Sequence, residues 1–143
     1  MYKFADEFKT MTSTNYFKKY EYPNAELLCY DNYVIGKVHE GATVDTELAM
    51  RMLTDVNESY KDKKVIFISN RKFGYSVDPK VYKLVNPKKL IGIAIVGHTK
   101  EQKIQATIEQ TLYSGSFGFF DSLDKAIAWA HSFFPELRNS STG

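Results

Sequence analysis

Apolar residues follow two rhythms along this chain. Glu26-Leu27-Leu28-Cys29-Tyr30 and Tyr33-Val34-Ile35-Gly36-Lys37-Val38 are short runs that read as strands. Asp31-Asn32 lies between them and predicts a tight hairpin, since both residue types tolerate positive φ. The rhythm then changes. Leu48, Met52, Val56 and Tyr60 recur every fourth position with Ala49 and Leu53 beside them, which predicts a helix buried on one side. Asp45 and Glu47 fall in its first turn, where negative charge suits the helix dipole. Val65-Ile66-Phe67-Ile68 is apolar in both directions, as a strand covered on both faces must be. Asp78-Pro79 reads as an N-cap followed by a first-turn proline, opening a helix through Val81, Tyr82 and Val85 that Pro87 stops. Ile91 to Val96 is a second strand apolar on both faces. Thr99-Lys100-Glu101-Gln102 fits a capping box, and Ile104, Ile108 and Leu112 supply the apolar seam of the helix it opens. Phe117-Gly118-Phe119-Phe120 predicts a short strand. Ser122 caps a last helix carrying Leu123, Ala126, Ile127, Ala130 and Phe134, closed by Pro135.

The order β-β-α-β-α-β-α-β-α predicts an α/β domain. Its sheet is mixed and mostly parallel, with about five strands and four helices, and its first strand is antiparallel through the hairpin. Segments 65–68 and 91–96 are expected side by side and parallel at the centre. Right-handed crossovers would put the helices on one face. The other face would then meet the N-terminal segment or a second subunit, and a homodimer is the expectation. Residues 1–23 are read as an irregular arm or an edge strand, with Tyr16 to Tyr22 as the candidate strand. Residues 24–135 form the domain, and 136–143 a flexible polar tail.

Composition narrows the function. The chain has 143 residues, 43% of them hydrophobic and 25% charged, which is ordinary for one globular domain. A net charge of +2 does not argue for a nucleic-acid partner. The basic clusters Lys61, Lys63, Lys64 and Lys88, Lys89 are read as solvated loop charge. No apolar run approaches the roughly 18 residues of a membrane span. The first residues lack the apolar stretch of a signal peptide, so a cytoplasmic chain without membrane insertion is expected.

Several phrases carry a family resemblance. They are Tyr30-Asp31-Asn32-Tyr33 at the hairpin, Glu40-Gly41-Ala42-Thr43-Val44-Asp45 before the first helix, and Ile68-Ser69-Asn70-Arg71-Lys72 after the middle strand. Tyr75-Ser76-Val77-Asp78-Pro79 and Phe120-Asp121-Ser122-Leu123-Asp124-Lys125-Ala126-Ile127-Ala128-Trp129 complete the set. Over roughly residues 24–134 the chain resembles STAS domains, the SpoIIAA-like fold of anti-sigma-factor antagonists. It looks closest to an uncharacterised Bacteroidetes-type subgroup. The resemblance implies a non-catalytic protein-interaction module of regulatory type, with an unidentified protein partner. It also implies an alternative, a small-molecule or lipid-binding domain with a closed apolar pocket near Phe73, Tyr75 and Tyr82. In the antagonists a serine at the start of the helix after the middle strand is phosphorylated. Ser76 is the nearest candidate here, although the family's Asp-Ser-(Ser/Thr)-Gly context is missing around it.

The residues themselves point to a location. In parallel α/β sheets, ligands sit beyond the carboxyl ends of the strands. His39, Asn70, Arg71 and His98 would converge there and are the candidate binding residues. An enzyme would need these four in hydrogen-bonding geometry, and no nucleophile elbow, Walker loop or dinucleotide fingerprint is present. The expectation is therefore no enzyme and no cofactor. The histidines at 39, 98 and 131 have no ligand spacing, so no metal is expected. Cys29, inside a strand, reads as a core residue.

Overall fold

A computed structural model describes residues 15–71 and 74–135. The polar stretch 9–14, Lys72, Phe73 and the tail 136–143 lie outside the described residues. The strands are β1 (Lys18–Tyr22), β2 (Ala25–Cys29), β3 (Tyr33–Val38), β4 (Thr43–Val44), β5 (Val65–Asn70), β6 (Ser76–Val77), β7 (Leu90–Val96) and β8 (Ser116–Phe120). The helices are α1 (Thr46–Tyr60), a 3-10 helix (Pro79–Leu84), α2 (Lys100–Gln110) and α3 (Leu123–His131).

The main sheet has six strands in the order β1-β2-β3-β5-β7-β8. β1 and β2, and β2 and β3, pair antiparallel. β3, β5, β7 and β8 run parallel. The two strands apolar in both directions, β5 and β7, are neighbours in the interior, as their composition requires. The sixth strand is β1 at the edge. Its side chains reach α1: the Tyr22 hydroxyl donates to Asp55 Oδ2 at 2.6 Å, and the hydroxyls of Tyr20 and Ser59 share a hydrogen bond at 2.8 Å. β4 and β6 form a separate parallel ribbon.

The helix starts follow the capping residues. Asp45 accepts from the Leu48 N–H, Asp78 from the Lys80 N–H and Ser122 from the Lys125 N–H. Thr99 and Gln102 close a reciprocal capping box.

Each face of the sheet has its own core. On one, α1 lays Ala49, Met52, Val56 and Tyr60 over Leu27, Cys29, Val34 and Val38. The 3-10 helix and α2 continue this layer with Tyr82 and Ala106 over Ile93 and Ile95. On the other, Ala126 and Ala130 of α3 pack on Ile66, Ile68, Ala94 and Val96, with Tyr16 and Trp129 alongside. The expectation that all helices share one face holds only for the three crossovers. α3 follows the last strand, so no crossover rule constrains it, and it folds back over the opposite face. That face is thus covered within the chain, and the argument for a second subunit loses its premise.

Two local expectations are overturned. The hairpin at Asp31-Asn32 does not use positive φ, since Lys61 is the only non-glycine residue with φ in that region among those described. The turn is held from outside. The Tyr60 hydroxyl lies 2.6 Å from the Tyr30 carbonyl and 2.8 Å from that of Tyr33, and spans the hairpin neck. In α2, the anticipated seam faces outward: Ile104, Ile108 and Leu112 are 54%, 52% and 44% exposed. The inward stripe is Gln102, Ala106, Glu109 and Tyr113, which has equally good helical spacing. Hydrogen bonds and an ion pair select it over the more hydrophobic one.

Candidate functional site

The ion pair that turns α2 belongs to a buried polar cluster. Ser69 and Arg71 leave the carboxyl end of β5. Arg71 turns inward and grips Glu109 with both terminal nitrogens, Nη1 to Oε2 and Nη2 to Oε1, each at 2.6 Å. Arg71 is 3% exposed and Glu109 0%. A pair so far from water is tolerated only where the geometry is good and the remaining polar atoms are engaged. Here they are. Arg71 Nε donates to Ser69 Oγ at 3.1 Å, the Tyr82 hydroxyl donates to Glu109 Oε1, and the hydroxyls of Tyr75 and Ser69 pair with each other. Gln102 Nε2 donates to the Arg71 carbonyl at 2.7 Å and ties the start of α2 to the same point. The Arg71 guanidinium also lies 5.4 Å from the centre of the Tyr75 ring.

These contacts set the ionisation of the cluster. Burial opposes the charge on Arg71, but the Glu109 carboxylate outweighs it and the net shift is upward. Burial, then the adjacent Glu109 carboxylate, pushes the Tyr82 phenol up. Tyr75 is also raised, by burial first, against the opposing pull of Arg71.

The cluster closes one end of a pocket. The pocket lies between the sheet and the layer formed by α1, the 3-10 helix and the β4–β6 ribbon, and its volume is about 80 Å³. That is several times the roughly 10–15 Å³ needed by one water on the same measure. Its walls are apolar: Val38 and Phe67 from the sheet, Met52 and Leu53 from α1, Val44 and Val77 from the ribbon, Val81 from the 3-10 helix. Ser69, Arg71, Tyr75 and Tyr82 are the polar groups in the lining. Leu53, Phe67, Tyr75, Val77 and Val85 of the lining are half-buried.

The ribbon is hung on glycines. Gly41 and Gly74 precede its strands with φ of +79° and +77°, a conformation other residues adopt only under strain. The Gly41 N–H donates to the Gly74 carbonyl at 3.0 Å and ties the two lead-ins together. Ser76, exposed on β6, pairs its hydroxyl with that of Thr43 at 2.9 Å.

The four residues anticipated at the strand ends have different fates. Arg71 enters the buried cluster. Asn70 ends β5, half-buried, opposite Val96 of β7. His39 and His98 are exposed, and no side-chain hydrogen bond joins them to Asn70 or Arg71 among the described residues. His131 stands edge-on to the Tyr33 ring at 5.6 Å, on the α3 face. Of the aromatics anticipated around a pocket, Tyr75 and Tyr82 line it, and Phe73 lies outside the described residues. Glu109 was not anticipated. Its only signal was a place on the stripe with Gln102, Ala106 and Tyr113, and a more hydrophobic stripe competed with it.

No protein-family model matches the sequence, and no curated protein matches it. Among solved structures, the chain is similar to an uncharacterized protein of the DUF3478 family with a SpoIIAA-like fold, from Shewanella loihica PV-4. The TM-score is 0.58 at 14% identity, over 78% of this chain and 97% of that one. No helix among the described residues is long and apolar enough to cross a membrane. The chain therefore has a SpoIIAA-like fold, with the mixed, mostly parallel sheet and covering helices that its sequence pattern and resemblance implied.

Proposed function

We propose that this is a non-catalytic, small-molecule-binding domain whose ligand occupies the pocket between β5, β7 and α1. One observation carries the reading: an apolar chamber of about 80 Å³ ends in a single polar cluster. Ligand sites combine mainly apolar walls with a few convergent polar groups that fix orientation. A merely structural core would be expected to fill such a volume, because interiors pack densely. Binding is favoured over catalysis by the state of the hydroxyls. Among the described residues, the Ser69 hydroxyl bonds to Arg71 Nε and the Tyr75 phenol, and neither can act as a base towards it near neutral pH.

The test is a native mass spectrum and a ligand-observed NMR screen of small apolar compounds on the full chain. Val77→Phe, which pushes a ring into the pocket, serves as the blocked control. Ligands bound by the wild type and lost in the filled variant support the reading. No ligand for either protein, or equal binding by both, overturns it.

The protein-interaction reading is favoured by a different observation. Ile104, Ile108 and Leu112 form an exposed apolar stripe along one side of α2. Ile108→Lys would abolish capture of a partner if that stripe is the contact, while leaving ligand binding in the pocket untouched.

A further inference from the structure

We propose that the pocket selects an uncharged ligand with one hydrogen-bond acceptor, such as a ketone, aldehyde or ester carbonyl, and discriminates against carboxylates. The inference rests on the small-molecule reading above and names the chemistry of its ligand.

Charge comes first. An arginine at the end of an apolar chamber suggests an anion site, but Arg71 is already held by Glu109 through two bonds of 2.6 Å. Among the described residues, the cluster consists of one cation, one anion and neutral hydroxyls, so their net charge is zero. A ligand carboxylate arriving at Arg71 would stand beside the Glu109 carboxylate and leave a second negative charge buried against one guanidinium. Like charges brought together away from water are strongly disfavoured. A neutral acceptor adds no charge and incurs no such cost.

Donor counting comes second. Ser69 and Tyr75 both line the pocket and share one hydrogen bond. Ser69 Oγ also accepts from Arg71 Nε. Two hydroxyls carry two hydrogens, and the bond between them uses one. Among the described residues, one donor is therefore left at the polar end, whichever way the pair is oriented. A carbonyl oxygen satisfies it. An alkane leaves it unmet, and an ammonium group would bring a second positive charge up against the Arg71 guanidinium.

The test titrates full-length protein with 2-hexanone, hexanoate and hexylammonium at neutral pH, followed by amide NMR shifts. The expected result is saturable binding of 2-hexanone, mapped to Phe67, Tyr75 and Val77, with hexanoate and hexylammonium at least about tenfold weaker. Glu109→Gln removes the anion and should reverse the order, so that hexanoate becomes the tighter ligand. Hexanoate binding to the wild type as tightly as 2-hexanone overturns the selectivity while leaving the pocket reading intact. The wild-type comparison decides this even if Glu109→Gln fails to fold. Binding of none of the three, together with an empty pocket in the broader screen, overturns the pocket reading itself.

Discussion

The two faces of the sheet are built from the same strands yet packed to different standards. Under α3, small residues meet large ones closely: Ala126 and Ala130 let the helix sit down on Ile66, Ile68 and Ala94. Rings fill the edges of this layer. Tyr30 and Tyr33 stack at 4.7 Å, and Trp129 meets Phe133 edge-on at 4.8 Å. Under α1 and the 3-10 helix there is instead a chamber and a desolvated ion pair. Dense packing makes a face rigid and inert. A void with a polar end costs stability and is expected where something must be bound. On the proposed reading, the contrast separates the face that holds the fold together from the face that binds.

The largest expected effect strikes both faces at once. Burial pushes the phenols of Tyr33 and Tyr113 up to about 12 and raises those of Tyr60 and Tyr82 as well. A raised phenol pKa means the fold prefers the protonated form. Its stabilising contribution is complete below the unfolded value of about 10 and is lost as pH rises towards the folded value. Each such tyrosine should subtract up to about 1.4 kcal/mol per pH unit above 10. Urea unfolding at pH 8 and pH 11, with tyrosinate absorbance lagging until unfolding, would check this. Equal stability at the two pH values would refute it.

Next comes the ion pair on the chamber side. Arg71→Met or Glu109→Leu alone strands a buried charge and should cost about 3–5 kcal/mol, whereas the double substitution should return most of that loss. A double-mutant cycle by chemical denaturation measures both. Single losses below about 1 kcal/mol would mean that the pair is not desolvated.

The packing contrast can be read from one kind of change made on each face. Ala130→Leu adds volume where α3 is already seated and should destabilise by about 1–3 kcal/mol. Val81→Ile adds a methyl group into the chamber and should be neutral or stabilising by about 0.5–1 kcal/mol. Equal costs at both sites would erase the distinction. The smallest effect lies outside both faces. Lys61 ends α1 with φ of 46°, so Lys61→Gly should raise stability by about 0.5–1 kcal/mol in the same assay.

Several features were legible in the chain because they are local or depend on burial alone. The caps at Asp78, Thr99 and Ser122 act within three residues of themselves, so their spacing suffices, whereas Asp45, read from the sequence as first-turn charge, turns out to be the N-cap of its helix. The adjacency of β5 and β7 follows from runs that are apolar in both directions. Tyr75 and Tyr82 were legible as pocket residues only through the family resemblance. The orientation of α2 was not legible. Two stripes with the same period compete in that helix, and hydrophobicity favours Ile104, Ile108 and Leu112. The winner is decided by Glu109 meeting Arg71, a residue 38 positions away in the chain.

The sequence by itself determined the fold class, the helix starts and the central strands, since these depend on propensity, capping and the period of apolar residues. Only the tertiary structure decided which face each helix covers, that Arg71 points inward instead of joining His39, Asn70 and His98, and that a chamber remains beside it. Those outcomes turn on pairings between distant residues, and a buried charge is tolerated only when its partner has been brought alongside.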